Sequence, residues 1–304
     1  MDSSSYKLTG RIKNKSFTQD RINTFRYRPF DNRWIYYDAS VISRPDFEVM
    51  RHFLENNNVG LVFSKFWDVA REWNTVMAVD GLVDRQHIVT HGTTYAAPLY
   101  IKKESEQQGK QNSLREKENI DRGIYAKTNF TEDFINFISN KYGFRATPEQ
   151  ILGYIYAMLY SPRYRKKYHD FLATDYPKVP FMDDEIKFKK LADLGQKLID
   201  LHLLKSSKIY STIAEFKEKG TDYIEKIRYD EKTKKLYINE IQYFDYIPDD
   251  IWHFEIGGTQ VLYNWLSDRK GIVLSYEEQI RFKQIVYSLK ETIEIMSEID
   301  KVYT

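Results

Sequence analysis

Cysteine is missing from all 304 residues. Disulfides, cysteine-ligated zinc and thiol catalysis are therefore excluded within the chain. An excess of one charge is missing too: 46 Lys+Arg oppose 44 Asp+Glu, a net of +2. The chain is not polybasic throughout, and an anionic partner has to be met by local segregation of charge. No apolar run approaches the length of a membrane span, and the N-terminus lacks the hydrophobic region of a signal peptide. No membrane partner is expected, and a cytoplasmic location fits best. Glycine is scarce, at 13 residues, and never takes the Gly-x-x-x-x-Gly-Lys-Ser/Thr form that cradles ATP phosphates. Gly257-Gly258 lacks the third glycine of a cofactor loop and precedes no clear βαβ unit. The Asn/Asp-Pro-Pro-aromatic motif that holds a flipped adenine is absent. So is Gly-x-Ser-x-Gly, the local signature of a hydrolase nucleophile. No catalytic residue, metal ligand or cofactor is assigned to this chain.

What remains is a globular composition, 42% hydrophobic and 30% charged, long enough for one large domain or two modest ones. The 24 Tyr and 18 Phe suit base stacking, but an A/T-rich coding sequence and an ordinary aromatic core explain them more simply.

Residues 1–127 read as β-rich. Phe25 to Tyr37 is extended around a turn: Pro29 biases Arg28 to β geometry, and Asp31-Asn32 supplies turn chemistry. Pro45 to Glu55 reads as a short helix. Val59–Phe63, Thr75–Val79, Gln86–Thr90 and Pro98–Ile101 read as strands. Lys102 to Lys127 is polar and reads as a long exposed loop. Residues 128–205 form a helical block. Thr147-Pro148-Glu149-Gln150 is a capping box with Pro at the first helical position. Ser161-Pro162 restarts a helix carrying Tyr164, Tyr168 and Phe171 inward. A third helix runs from about Asp183 to Leu204, with Leu191, Leu194, Leu198 and Leu201 as its buried or partner-facing stripe. Residues 206–304 return to β, with a hairpin of Ile224–Tyr229 and Lys235–Asn239. Ser275-Tyr276-Glu277-Glu278 caps a final helix. The order argues for an α+β fold, a β-rich core with a helical block and a C-terminal helix, forming one continuous unit.

Two groupings have metal-ligand types. Asp184, Glu185 and Lys187 resemble a nuclease pattern, but a solvated helix face accounts for them better. Asp84, His87 and His91 lack a convincing third ligand, and a polar loop accounts for them. The basic clusters are more suggestive. Arg163, Arg165, Lys166 and Lys167 crowd one helix start and, pointing outward, suit phosphates; a solvated face is the competing account. Arg26, Arg28 and Arg33 either pair with Asp31 and Asp38 or contact DNA.

Several blocks, in order, resemble one family. They are Tyr27-Arg28-Pro29-Phe30-Asp31-Asn32-Arg33-Trp34, Ala97-Pro98-Leu99-Tyr100, the run Tyr154 to Arg165, and Asp175-Tyr176-Pro177-Lys178-Val179-Pro180. Leu201-His202-Leu203-Leu204, Tyr237-Ile238-Asn239, Gln242-Tyr243-Phe244, Ile256 to Leu262 and Trp265 to Gly271 follow. The set resembles the C-terminal specificity domain of type ISP restriction-modification enzymes, from about Phe25 onward.

The resemblance implies a target-recognition domain that reads double-stranded DNA and presents adenine to an N6-adenine methyltransferase domain of the same or a companion polypeptide. S-adenosylmethionine, and Mg and ATP for cleavage, would belong to the full-length enzyme. Loops between the first strands then supply base or groove contacts, expected at Lys65, Arg71, Arg85, Gln86, Thr93 and Thr94. Phosphate contacts are expected at Arg26, Arg28, Arg33, Arg163, Arg165, Lys166 and Lys167. The alternative is a protein-interaction module that docks to a methyltransferase or translocase subunit and has a minor DNA role.

Overall fold

The computed structural model describes residues 10, 12–13, 15–38, 41–42, 45–64, 71–89, 92–102, 125–209 and 213–304. Most of the expected polar loop, 103–124, lies outside them, as do Lys65 and His91.

Strands β1 (Ile22–Arg28) and β2 (Asp31–Tyr36) form an antiparallel hairpin. Pro29 and Phe30 make its turn, with Phe30 at φ 62°. The turn thus falls before Asp31-Asn32 rather than on it. The cause is tertiary: Asp31 is buried and held by two arginines, so it belongs to the strand. Where one helix was expected over Pro45–Glu55, a short α1 (Phe47–Met50) tightens into a 3-10 segment, Arg51–Asn56.

The central sheet places β3 (Gly60–Ser64) between β4 (Val76–Val79) and β6 (Thr94–Pro98), all antiparallel. Its side chains alternate between two cores, as the period of a strand requires. Leu61, Val76 and Ala78 enter a first core built mainly from helices. Val62, Met77 and Val79 enter a second, built mainly from the C-terminal part. A two-residue strand, β5 (Leu82–Val83), runs parallel to β1. Strand β7 (Tyr100–Lys102) pairs with β8 (Tyr125–Thr128), so the end of the expected loop is strand.

The helical block contains α2 (Glu132–Tyr142), capped by Thr131 and not anticipated from the pattern. Next comes α3 (Pro148–Tyr160), which starts with the expected Thr147/Gln150 capping box. The helix expected after Ser161 is two: α4 (Pro162–Lys167) and α5 (His169–Thr174), broken at Tyr168. Helix α6 (Glu185–His202) buries the whole leucine stripe in the first core, so the stripe packs internally. It lies close against α3 through two glycines: a Cβ on Gly195 would sit 1.7 Å from the Gly153 carbonyl oxygen.

The C-terminal part builds a four-stranded sheet ordered β10-β11-β12-β9, from β9 (Glu215–Lys217), β10 (Arg228–Asp230), β11 (Lys235–Tyr237) and β12 (Tyr243–Asp245). The expected hairpin is its β10–β11 pair, shorter than the sequence suggested. After α7 (Asp249–Trp252), the β13 (Glu255–Ile256) and β14 (Thr259–Gln260) hairpin turns through Gly257-Gly258 into α8 (Val261–Ser267). Helix α9 (Tyr276–Val302) begins with the expected Ser275/Glu278 capping box. Its first half puts Phe282, Ile285, Val286 and Leu289 into the second core, and its second half puts Ile295, Ile299 and Val302 into the first. The fold is α+β, with one sheet and one long helix shared between two cores.

Candidate nucleic-acid interface

The stretch from Asp84 to Thr94 was expected to contain a strand over Gln86–Thr90; its described residues form a structured loop instead. Asp84 decides this. Its carboxylate accepts the Gln86 N–H at 2.7 Å and its carbonyl accepts the His87 N–H at 3.0 Å, a local turn that competes with strand pairing. Further on, Thr94 N–H donates to the Arg85 carbonyl at 3.1 Å and closes the loop. His87, Ile88 and Val89 are buried, whereas Arg85, Gln86 and Thr93 are exposed. The loop is thereby anchored from below and presents polar side chains outward. Thr94 is half-buried, and its hydroxyl lies inside.

His87 Nδ1 lies 3.0 Å from the Arg26 carbonyl. Burial pushes its pKa down to about 3, so the ring is neutral and Nδ1 donates. Of the Asp84/His87/His91 grouping, His91 lies outside the described residues.

The Gly257-Gly258 turn packs on this loop. Gly257 has φ 62°, and a Cβ there would fall 1.3 Å from the Ile88 carbonyl oxygen, so no other residue fits. Asn74 joins the same junction: its carbonyl accepts from Gly257 N–H, its side-chain oxygen accepts from Gly258 N–H at 3.2 Å, and its amide donates to the Glu255 carbonyl at 3.1 Å. Beside it, exposed Arg71 reaches the Gly258 carbonyl at 3.4 Å, and the Arg71 carbonyl accepts from His169 Nε2 at 3.0 Å. That carbonyl, then Asp170, raises the His169 pKa above its ordinary value and favours the cation. Arg71, the 84–89 turn and the start of α5 are thus joined through one turn. Sequence reading missed Asn74 and His169, because their partners are distant in the chain.

The basic clusters divide. On α4, Arg163, Lys166 and Lys167 are exposed. The helix is fixed by Asp300, which accepts from Ser161 Oγ at 2.5 Å and the Arg163 N–H at 3.2 Å. Arg165 corrects the expectation that it points outward. It is 4% exposed, donates to the Leu159 carbonyl at 2.7 Å, and lies 4.7 Å from the Tyr160 ring centre. Burial lowers its pKa. Phe171, expected inside, is exposed. The break at Tyr168 rotates α5 relative to α4, which undoes a pattern drawn for one helix.

The three N-terminal arginines all have carboxylate partners. Arg26 pairs with Asp80 at 2.5 Å and is nearly buried. Arg28 pairs with Asp84 at 2.8 Å and lies over the Tyr27 ring. Arg33 pairs with Asp31 at 2.8 Å and with Asp268 at 3.3 Å, and keeps 42% of its side chain exposed. Burial alone would raise the Asp31 pKa, but hydrogen bonds from Arg269 and Arg33 outweigh it and hold it low. Asp38 pairs instead with Lys15 and Arg21. A narrow cleft beside these groups is lined by Arg28, Gln86, Thr259, Asn264 and Asp268.

Residues 2–298 match the family described as the Type ISP C-terminal specificity domain. The chain belongs to that family. Its fold is also similar to parts of larger solved structures. The ATP-dependent Type ISP restriction-modification enzyme LlaBIII bound to DNA matches with a TM-score of 0.72 and 18% identity, over 96% of this chain and 19% of that one. The DrdV–DNA complex matches with a TM-score of 0.72 and 18% identity, over 94% and 29%. A nuclease-deletion mutant of the Type ISP enzyme LlaGI, in complex with a DNA substrate mimic, matches with a TM-score of 0.63 and 16% identity, over 95% and 21%. This specificity domain therefore spans less than a third of each matched chain. No curated protein sequence matches it. Among the described residues of the specificity domain, no helix is long and apolar enough to cross a membrane.

Proposed function

We propose that this chain reads the sequence of double-stranded DNA for a larger restriction-modification enzyme that methylates adenine at N6 and cleaves DNA. The observation that carries the reading is the junction at Gly257-Gly258. It joins exposed hydrogen-bonding side chains on an anchored loop, through Arg71 and His169, to the start of α5, which directly follows the short helix α4 with its exposed cations. Arg71, Arg85, Gln86 and Thr93 are the base or groove contacts in this reading, since arginine matches guanine and glutamine matches adenine in the major groove. Arg163, Lys166 and Lys167 grip phosphates and set register. Arg33 is a secondary phosphate contact; Arg26, Arg28 and Arg165 serve the fold. Catalysis, with S-adenosylmethionine, Mg and ATP, belongs to other parts of the enzyme, because the glycine-rich and Asn/Asp-Pro-Pro-aromatic motifs are missing here.

The test is selection of bound duplexes from a randomised pool by the 304-residue chain, followed by titration of the winners over a salt series. Enrichment of a defined sequence, with affinity falling steeply in salt, is the expected result. Binding with no sequence preference would defeat the reading.

One observation favours a second surface for a protein partner. Phe17, 72% exposed, lines an apolar hollow with Ile35, Tyr36 and Ile42, and Trp34 of the same β2 strand is 74% exposed. A methyltransferase or translocase part docking there is compatible with DNA reading elsewhere.

A further inference from the structure

Among the described residues, strand β4 is an edge of the central sheet, so one side of its backbone faces no described strand. Edge strands need such groups covered. Here two tyrosines of α3 cover them. Tyr160 donates its hydroxyl to the Val76 carbonyl at 3.0 Å, and the Ala78 N–H donates to the Tyr156 hydroxyl at 2.9 Å. The spacing matches: residues i and i+4 rise about 6 Å along a helix, and residues i and i+2 about 6.7 Å along a strand.

The Tyr156 hydroxyl has one proton, which goes to His202 Nδ1 at 2.5 Å. His202 Nε2 then carries the ring proton and donates to Thr292 Oγ1 at 2.9 Å, and Thr292 donates to the Ser288 carbonyl at 2.7 Å. All these side chains are at most 3% exposed. One chain of hydrogen bonds with a single consistent direction thus links β4, α3, α6 and α9. Two outer ties extend it along the strand's flanks: His169 holds the Arg71 carbonyl, and Lys205 pairs with Asp80 at 2.6 Å.

We infer that Tyr156, Tyr160 and His202 are positioning residues for sequence reading: they fix the 71–80 segment, and with it Arg71 and the 84–89 turn, relative to the cations of α4. This rests on the proposed function. Phosphate contacts on α4 set where the duplex lies, and base contacts succeed only if Arg71, Arg85, Gln86 and Thr93 stand at a set offset from them. A core of the same volume without hydroxyls would pack β4 but leave its position along the helix undefined. Hydrogen bonds supply the direction that apolar packing lacks.

The experiment repeats the pool selection with Tyr160→Phe, Tyr156→Phe, His202→Leu and His202→Gln, and follows hydrogen exchange at the Ala78 amide. The glutamine amide can accept from Tyr156 and donate to Thr292. Tyr160→Phe is the mildest change, and it keeps the test alive if Tyr156→Phe does not fold. The expected result is a loss of roughly 10-fold in preference for the selected sequence over scrambled duplex, with scrambled binding and its salt slope unchanged. His202→Gln should keep the preference that His202→Leu loses. Folded variants that keep full sequence preference while Ala78 exchanges faster would reduce the hydroxyls to stabilising contacts and overturn the inference. Failure of the wild type to enrich any sequence would instead remove the functional reading, and this inference with it.

Discussion

Two clusters of basic residues look alike in the sequence and meet opposite fates. Arg26, Arg28 and Arg33 sit among aromatics near a turn, and so do Arg163, Arg165, Lys166 and Lys167. In the first cluster every arginine meets an aspartate, and one of these, Asp31, is 1% exposed. In the second, three cations stay on the surface and the fourth enters the core without a hydrogen-bonded carboxylate among its described contacts. The lesson is that a cation's role follows from which carboxylates the fold brings to it. For Arg26 and Arg28 those carboxylates, Asp80 and Asp84, are distant in the chain, whereas Arg33 pairs with its neighbour Asp31 as well as with distant Asp268.

That contrast can be broken in order of expected effect. Arg269→Ala should be the most damaging, because it strips a partner 2.9 Å from the buried Asp31 carboxylate. A loss of about 3–5 kcal/mol in urea unfolding is expected; a loss under about 1 kcal/mol would mean that Arg33 alone suffices. Arg165→Ala should cost about 2–3 kcal/mol, yet leave the salt slope of DNA binding as it was. A flatter slope would return Arg165 to the phosphate contacts.

The histidines sharpen the same contrast between buried and exposed groups. Burial, then Arg165, pushes the His202 pKa down to about 3, against 6.5 ordinarily. Between those values the unfolded chain binds a proton that the folded chain refuses, so stability falls as pH drops below 6.5. For this residue the slope reaches about 1.4 kcal/mol per pH unit. His87 acts with the same sign. Urea melts from pH 7 to 4.5 should show a shallower fall for His202→Gln. His169 is shifted upward, so its small contribution is present at low pH and lost as pH rises. His169→Gln should therefore leave the acid-side fall in place. Smallest in stability is the pair Lys166→Ala and Lys167→Ala. Unfolding should move by no more than about 0.5 kcal/mol, while the log–log salt slope of DNA binding becomes shallower by about 2. An unchanged slope would place these lysines off the duplex.

Local chemistry was legible without the fold. The caps at Thr147 and Ser275, the leucine stripe of α6, the strands around Leu61 and Met77, and the α+β class all follow from spacing and side-chain type within a few residues. The ordered blocks also carried the family, since they preserve what the fold requires at fixed places. Three things were decided only in three dimensions. The turn at Pro29-Phe30 depends on Arg269 reaching Asp31, 238 residues away. Gln86–Val89 gives up strand pairing to a turn organised by Asp84 and held under Gly257. The side of α4 that faces solvent depends on the break at Tyr168 and on the anchor at Asp300. A sequence states which groups can bond or bury, because those preferences are local. Which distant group satisfies each of them is a matter of packing, and that choice separates a surface cation from a buried one.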